Sequence, residues 1–363
     1  MVGIDRRLLQ NVDWPLVGAT LGLVTLSAST LATVSVGRTG GGVAIRQLAW
    51  FCVGLFALMV VASIDYRRLV QMAPLLYIGG LAGLVAVFFL GRTVSGARRW
   101  VLIGPLSVQP SEMFKLCFVL MAVWLVTSRW AQPVGKIALI MAAPVALIPA
   151  VLIVKQPDLG TALTLLPVAA ALIIVGGARW RHLGMLAGCG LAVLPAFWFL
   201  LRDYQRERIL VYVDPSRDPL GSAWNVIQAK ITIGSGQLAG KGLFGGTQSR
   251  LAFLPERHTD FVFAAFAESW GFLGAILLLF VYVLLVLRGF EVAASARDTL
   301  GSLLATGATV LLATQALINL GMVTGLLPVV GIPLPFVSYG GSALLTAVGA
   351  VALIANVRMR RFA

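Results

Sequence analysis

Residues 261–287, FVFAAFAESWGFLGAILLLFVYVLLVL, hold one charged side chain, Glu268, in an otherwise almost wholly apolar run. A helix needs about 20 mostly apolar residues to cross a bilayer, so this run is long enough to span one. Runs of similar length recur throughout the 363 residues. The chain is 59% hydrophobic and 12% charged, and a soluble domain carries about twice that charged fraction. The sequence therefore predicts an all-α, polytopic integral membrane protein.

Hydropathy predicts about ten transmembrane helices in a single domain, residues 1–363. The expected spans are 15–36, 47–64, 71–90, 110–127, 137–154, 158–177, 183–201, 260–287, 300–321 and 336–357. An even number of spans places both termini on the same side of the membrane.

The charge of the short loops predicts which side that is. One set of loops carries 13 basic residues: Arg6, Arg7, Arg67, Arg68, Arg129, Lys136, Arg179, Arg181, Arg288, Arg297, Arg358, Arg360 and Arg361. The opposite set carries six: Arg38, Arg46, Arg92, Arg98, Arg99 and Lys155. Cytoplasmic loops are enriched in Lys and Arg, so both termini are predicted to be cytoplasmic.

This topology leaves residues 202–259 as one large extracytoplasmic loop between spans seven and eight. Connections of this length are either functional or disordered. The loop contains regularly interspersed apolar residues such as Trp224, Ile227 and Phe244, which argue against disorder. We predict a folded cap over the outer membrane face.

Composition also excludes several classes of function. The net charge is +14, but the arginines are spread among the loops instead of forming one patch. They are therefore expected to set the orientation of the spans and to contact lipid headgroups, and not to bind nucleic acid. Cys52, Cys117 and Cys189 all lie in apolar runs, so neither a disulfide framework nor a metal cluster is indicated. No phosphate-binding glycine motif indicates a nucleotide.

The remaining ionisable residues near membrane spans are few, and each has a structural alternative. Glu112 and Lys115 in QPSEMFK are three residues apart on one helical face, so they can form an ion pair or bind substrate. Asp158 in KQPDLGT can cap a helix or face a cavity. Arg98 and Arg99 suit phosphate oxygens, whether of a substrate or of lipid headgroups.

The stretch FLPERHTDF, residues 253–261, places five polar or charged residues directly before the apolar run 261–287. Thr259 can cap the following helix, with Asp260 in its first turn. That explanation leaves out His258 and also Glu268, which lies about 12 Å further along the helix. A carboxylate at that depth should need a polar partner from another part of the chain.

Five stretches together are similar to members of the SEDS family (shape, elongation, division and sporulation), most of all to its RodA-like branch. They are GARRW at 96–100, QPSE at 109–112, KQPDLGTA at 155–162, residues 227–261, and LPFVSYGGSALL at 334–345. The resemblance covers essentially the whole chain. It implies a peptidoglycan glycosyltransferase of the bacterial inner membrane that polymerises lipid II for rod-shape elongation.

The resemblance also implies roles for individual residues. Asp260 matches the family's essential aspartate and is expected to act as the catalytic base. Substrate binding is expected from Arg98, Glu112, Lys115, Lys155, Asp158 and His258. Arg98, Lys115 and Lys155 are candidates for the diphosphate, with Lys115 equally suited to pair with Glu112.

Expected partners are a class B penicillin-binding protein, other membrane proteins of the elongation complex, lipid II and undecaprenyl-diphosphate-linked glycan, but no nucleic acid. No cofactor is implied, and a divalent cation assisting the diphosphate is left open. The alternatives are a lipid II flippase, a division-specific FtsW-type polymerase, and a non-catalytic scaffold in which Asp260 is only a helix cap.

Overall fold

The structure is a computed structural model. It describes residues 10–35, 42–94, 97–104, 106–128, 136–179, 181–182, 184–185, 188, 198–199, 201, 203–218, 221, 223–250, 254 and 256–361.

Helices dominate the described part of the chain. They are α1 Trp14–Ser35, α2 Gly42–Ser63, α3 Tyr66–Gln71, α4 Ala73–Leu90, α5 Pro110–Thr127, α6 Lys136–Lys155, α7 Leu159–Val175, α8 Asp203–Val213, α9 Trp224–Ser235, α10 Thr247–Arg250, α11 Val262–Ala294, α12 Thr299–Thr324 and α13 Gly341–Met359, with a 3₁₀ turn at Pro215–Arg217. Seven helices among the described residues are long and apolar enough to span a membrane, and two apolar stretches, Ala143–Lys155 and Leu159–Val175, are shorter. The chain is a polytopic membrane protein made almost entirely of helices, as predicted. The expected span at 183–201 falls mostly outside the described residues.

A small sheet that hydropathy did not predict connects α4 to α5. Its strands are β1 Arg92–Val94, β2 Ala97–Ile103 and β3 Leu106–Val108, antiparallel in the order β1-β2-β3. The run contains β-branched and aromatic residues, Thr93, Val94, Trp100, Val101, Ile103 and Val108, which fit a pleated surface. Gly104 turns the chain between β2 and β3 with a φ of +61°.

The centre of the bundle is formed by α12 and α13, which are mostly buried, whereas α2 and α4 lie at its periphery. Small residues allow this close packing, because membrane helices approach each other where side chains are small. A Cβ added at Gly307 of α12 would lie 2.9 Å from Val119 of α5 and 3.3 Å from Leu172 of α7.

Described members of the loops predicted to be cytoplasmic lie together at one end of the bundle. At this end, Asp13 pairs with Arg358 at 3.7 Å, and Arg67 pairs with Asp298 at 2.8 Å. These contacts bring together the N-terminal segment, the α2–α4 connection, the α11–α12 connection and the end of α13. The grouping is the one predicted to face the cytoplasm. The site described below lies at the other end.

The long helix α11 is broken at Gly271, whose φ of 68° and ψ of −168° are not helical. Residues 236–242 of the large loop, hereafter the inserted segment, fill the break. Four main-chain hydrogen bonds of 2.8–3.1 Å join the two: Lys241 N to Glu268 O, Gly242 N to Ser269 O, Phe272 N to Gln237 O, and Leu273 N to Leu238 O.

The inserted segment requires glycine where it meets the helix. A Cβ at Gly236 would lie 2.1 Å from the Ala267 carbonyl oxygen, and one at Gly240 would lie 2.3 Å from that of Ser269. Part of the large loop is therefore packed beside a helix, where it satisfies backbone groups that the break would leave unpaired.

Candidate active site

Asp260 lies in a tight turn, residues 256–261, just before α11. The main-chain N–H groups of Thr259 and Phe261 donate to the Glu256 carbonyl at 3.1 and 3.2 Å. The helix begins at Val262, and no side chain caps it. Thr259 Oγ1 donates instead to the carbonyl and the carboxylate of Glu256. The prediction that Thr259 caps the helix, with Asp260 in its first turn, is wrong, because the turn continues for two residues beyond Thr259.

Asn319 of α12 fixes the main chain at Asp260. Its Nδ2 donates to the Asp260 carbonyl at 2.9 Å and to the Ile332 carbonyl at 2.6 Å. Asn319 is fully buried, so these bonds are made away from competing water. One amide thereby ties the turn to the segment that follows α12.

The segment SYGG, from the LPFVSYGGSALL stretch, holds the other side of the turn. Ser338 Oγ donates to the Thr259 carbonyl at 2.6 Å, and the Tyr339 N–H donates to the His258 carbonyl at 2.8 Å. Gln47 of α2 supports this segment by donating to the Ser338 carbonyl at 3.0 Å. The resemblance singled out this stretch without giving its role, which is to position the Asp260 turn.

The carboxyl of Asp260 is partly buried, and its pKa is raised from 3.8 to about 6. Burial is the largest cause, and the nearby Glu256 and Asp158 carboxylates raise the pKa further. Arg208 of α8 and Arg99 of β2 act in the opposite direction. A carboxyl with a pKa near neutrality is suited to general base catalysis.

Asp158 caps a helix, which is one of the two roles that the sequence left open, and its second carboxylate oxygen binds neighbouring side chains. It caps α7, with Oδ1 accepting from the Thr161 N–H at 3.3 Å. Its Oδ2 accepts from Gln109 Nε2 at 3.0 Å and from Ser111 Oγ at 3.1 Å. Arg99 lies 3.9 Å from Oδ1. Asp158 therefore joins the starts of α5 and α7 beside Asp260.

Glu112 and Lys115 form a buried ion pair, with Lys115 Nζ 2.7 Å from Glu112 Oε1. The second carboxylate oxygen of Glu112 is buried without a hydrogen-bond partner in the described part of the chain. Because Lys115 is fully buried against Glu112, the geometry favours its structural role over diphosphate binding.

Of the two adjacent arginines, Arg99 joins this cluster. Its Nε donates to the Gln156 carbonyl at 3.1 Å, and a terminal amino group donates to the Pro157 carbonyl. Arg98 is exposed and donates to the Phe88 carbonyl at the end of α4. Adjacent residues on a strand point to opposite faces, which explains why only one of them faces Asp260.

Lys155 directly precedes Gln156, whose carbonyl binds Arg99, and His258 belongs to the same turn as Asp260. Lys155 is exposed in the last turn of α6. His258 Nδ1 is buried with no hydrogen-bond partner among the described residues. Burial and the neighbouring Arg257 lower the pKa of His258, so its imidazole is neutral at physiological pH.

A mostly apolar cavity of about 350 Å³ opens beside this cluster, between the start of α7, α8 and residues 328–330. Its polar side chains are Gln205 and Arg208. A smaller cavity of about 80 Å³ shares Arg208 and is also lined by Lys230 of α9. Sequence reasoning missed Arg208, although its charged context, RDYQRERI, is unusual for so hydrophobic a chain.

Within the described residues, no group of three or more His, Cys, Asp or Glu side chains is arranged to hold a metal ion. The cluster instead combines the Asp260 carboxylate, whose pKa is raised, with Arg99, Arg208 and an apolar cavity. This arrangement can bind a molecule with an anionic head and an apolar chain, and it can accept a proton from it.

A model of the family described as "Cell cycle protein", named for FtsW, RodA and SpoVE, matches residues 12–362. The chain belongs to this family. It is 40% identical over 343 residues to the peptidoglycan glycosyltransferase MrdB of Escherichia coli K12, covering 93% of this chain and 92% of that protein.

Solved structures agree with this assignment. RodA, the rod shape determining protein of Thermus thermophilus, is 30% identical with a TM-score of 0.73, covering 97% of this chain and 98% of that one. A chain from work on the coordination of polymerization and crosslinking by a peptidoglycan synthase complex is 33% identical. Its TM-score is 0.82, with coverage of 97% and 98%.

Proposed function

We propose that this protein is a RodA-like peptidoglycan glycosyltransferase that joins lipid II units into glycan strands for rod-shape elongation. Family membership and the 40% identity to the glycosyltransferase MrdB support the activity. The observation that carries the proposal is the Asp260 carboxyl, with a pKa raised to about 6 beside Arg99 and Arg208. We place the reaction at the outer face of the bacterial inner membrane, where the predicted topology puts this cluster.

The reaction requires one base for the attacking hydroxyl and positive charge to compensate the negative charge of the departing diphosphate. The 4-hydroxyl of a GlcNAc attacks C1 of the MurNAc on the lipid-linked chain, and its proton passes to Asp260. The bond from C1 to the diphosphate oxygen breaks as the new bond forms, so the lipid diphosphate leaves with the electron pair. One displacement converts the α-linked donor to a β-linked product, and it needs only one carboxylate.

Cations at the cluster suit the diphosphate, because guanidinium groups bind phosphate oxygens in a fork. We assign this role to Arg208, while Arg99, whose guanidinium binds the Gln156 and Pro157 carbonyls, adds positive charge to the cluster, and the exposed Lys155 is a further cation for the diphosphate. The cavity of about 350 Å³ beside Arg208 has the apolar lining that an isoprenoid chain needs. A divalent cation bound to the diphosphate would add to this compensation.

We further propose that the chain works with a class B penicillin-binding protein in the elongation complex, which would crosslink the strands that it makes. One support is its likeness to a chain from a complex in which polymerization and crosslinking are coordinated. The RodA-like resemblance of TQSRLAFLPERHTDF, residues 247–261, favours elongation over division.

Polymerisation of lipid II by the purified protein tests the proposal. Wild-type protein would be incubated with lipid II, alone and with a class B penicillin-binding protein whose transpeptidase serine is replaced. Glycan length would then be measured on gels. We expect polymer with at least one of these preparations. Absence of polymer from both, together with transfer of lipid II across the bilayer of proteoliposomes, would favour the flippase instead.

A further inference from the structure

Glu268 is a fully buried carboxylate inside α11, eight residues beyond Asp260. Its Oε1 accepts from Lys241 Nζ at 2.9 Å and from the Gln248 N–H at 3.0 Å. The hydroxyls of Ser235 and Thr247 lie 3.3 and 3.4 Å from the same oxygen. One buried oxygen thus gathers donors from the end of α9, from the inserted segment and from α10.

Lys241 links these elements further. Its Nζ donates to Thr247 Oγ1 at 2.9 Å as well as to Glu268, and its main-chain N–H donates to the Glu268 carbonyl at 3.0 Å. The Lys241 side chain is 28% exposed and that of Glu268 is 0% exposed. Because Glu268 is desolvated, loss of the lysine would remove an ammonium group that compensates its buried charge, which is costly.

The pair lies where it can control the position of Asp260. Residues 262–270 form a short helical piece with the Asp260 turn at one end and the Gly271 break at the other. Such a piece is rigid along its length of about 14 Å. Since the helix is interrupted at Gly271, the second half of α11 cannot hold this piece by continuous hydrogen bonding. Asn319, Ser338 and Tyr339 hold the Asp260 end of the piece, and the inserted segment supplies the constraint at the other end, where its main-chain hydrogen bonds cross the break.

We infer that Glu268 is a positioning residue for the transferase reaction. By binding Lys241, it locks the inserted segment into the break of α11 and so fixes residues 262–270 and the Asp260 turn. The inference rests on the proposed function, because it concerns the base of that reaction. Neither Glu268 nor Lys241 belongs to the cluster around the Asp260 carboxylate.

The first test compares matched variants in the lipid II polymerisation assay. Glu268→Gln keeps the size of the side chain and removes its charge, and Lys241→Met removes the ammonium group while keeping a long side chain. Each should lower kcat on the order of tenfold to a hundredfold, the effect expected when a reacting group is displaced by about 1 Å. Lys241→Arg, which keeps the charge, should retain most of the activity.

Glu291→Gln is the matched control. Glu291 lies on the same helix at the cytoplasmic end and pairs with Arg288 at 2.7 Å, so this variant also removes one acid of an ion pair from α11. We expect it to polymerise at the wild-type rate. Size-exclusion profiles and thermal midpoints would establish that each preparation is folded, and rates would be expressed per folded protein.

A reversible crosslink separates positioning from general stability. In a background with Cys52, Cys117 and Cys189 replaced by alanine, Lys241→Cys and Glu268→Cys would be combined. The main-chain hydrogen bond between the two residues keeps them within reach of a disulfide. The reduced protein should be slow, oxidation should restore activity, and dithiothreitol should remove it again.

The outcomes separate this inference from the proposed function. If wild type does not polymerise under any condition, the proposed function fails. If wild type polymerises and both Glu268→Gln and Lys241→Met match it, Glu268 has no positioning role. Failure of the cysteine pair to form a disulfide, or a disulfide that leaves activity low, would also contradict the inference.

Discussion

The raised pKa of Asp260 makes a quantitative prediction about pH. A base must be ionised, and with a pKa of about 6 the ionised fraction is about 0.9 at pH 7 and about 0.1 at pH 5. kcat/KM should therefore fall about tenfold between these values. An aspartate at the usual pKa of 3.8 would remain about 0.9 ionised at pH 5, and the rate would hardly change.

The variant Glu256→Gln tests whether this pH dependence of kcat/KM arises from the enzyme or from ionisation of the substrate. The Glu256 carboxylate raises the pKa of Asp260, so its neutralisation should lower that pKa and move the acid limb to lower pH. The turn itself should survive, because it depends on the main-chain carbonyl of Glu256, which accepts from Thr259 and Phe261. The variant should lose less activity than wild type on going from pH 7 to pH 5.

The assay is initial-rate lipid II polymerisation from pH 4.5 to 8, with the folded fraction checked at each pH. Ionisation of the substrate is common to both proteins, so the difference between their profiles reports on the enzyme. A wild-type rate that stays flat down to pH 5 would refute the role of Asp260 as a base with a raised pKa. Superimposable profiles for wild type and Glu256→Gln would refute the electrostatic account of the shift.

Three further predictions concern neighbouring residues. Asn319→Leu removes the bonds to the Asp260 and Ile332 carbonyls and should lower kcat by about tenfold or more in protein that remains folded. Lys115→Met should destabilise the fold by about 3–5 kcal/mol because Glu112 stays buried without its partner, and the double variant with Glu112→Gln should regain most of this in thermal unfolding. Asp260→Asn should be more stable than wild type at pH 7.5 by less than about 3 kcal/mol, since a folded pKa above the unfolded one penalises the ionised state. This advantage should shrink as the pH falls towards 4, and a constant difference would argue against a raised pKa.

Helical spans were the most predictable feature of the chain, because a bilayer imposes one length and one composition on each span. The starts of α5 at Pro110 and of α4 at Ala73 lie within a few residues of the starts predicted for spans 110–127 and 71–90. The sheet at 92–108 was missed because hydropathy treats a short connecting segment only as polar or apolar. The start of α11 was misplaced because Thr259 makes local bonds to Glu256 instead of capping the helix.

The candidate site was predictable where one helix or turn determines a contact. Glu112 and Lys115 meet because they are three residues apart, and Asp158 caps the helix that it precedes. Contacts between distant segments were not predictable. The approach of Arg208 to Asp260, and the bond from Asn319 to its carbonyl, depend on tertiary packing. The same limit applied to Glu268: its depth predicted a polar partner, but nothing in its local sequence named Lys241.

The central claim, that Asp260 is the base of a lipid II polymerase, is tested most directly by Asp260→Asn. Wild type, this variant and Glu291→Gln would be purified in folded form, and glycan strands from lipid II would be quantified at pH 7.5. We predict polymer from wild type and Glu291→Gln and none from Asp260→Asn. Polymer from Asp260→Asn at the wild-type rate would contradict the claim, since an amide cannot accept the proton of the attacking hydroxyl.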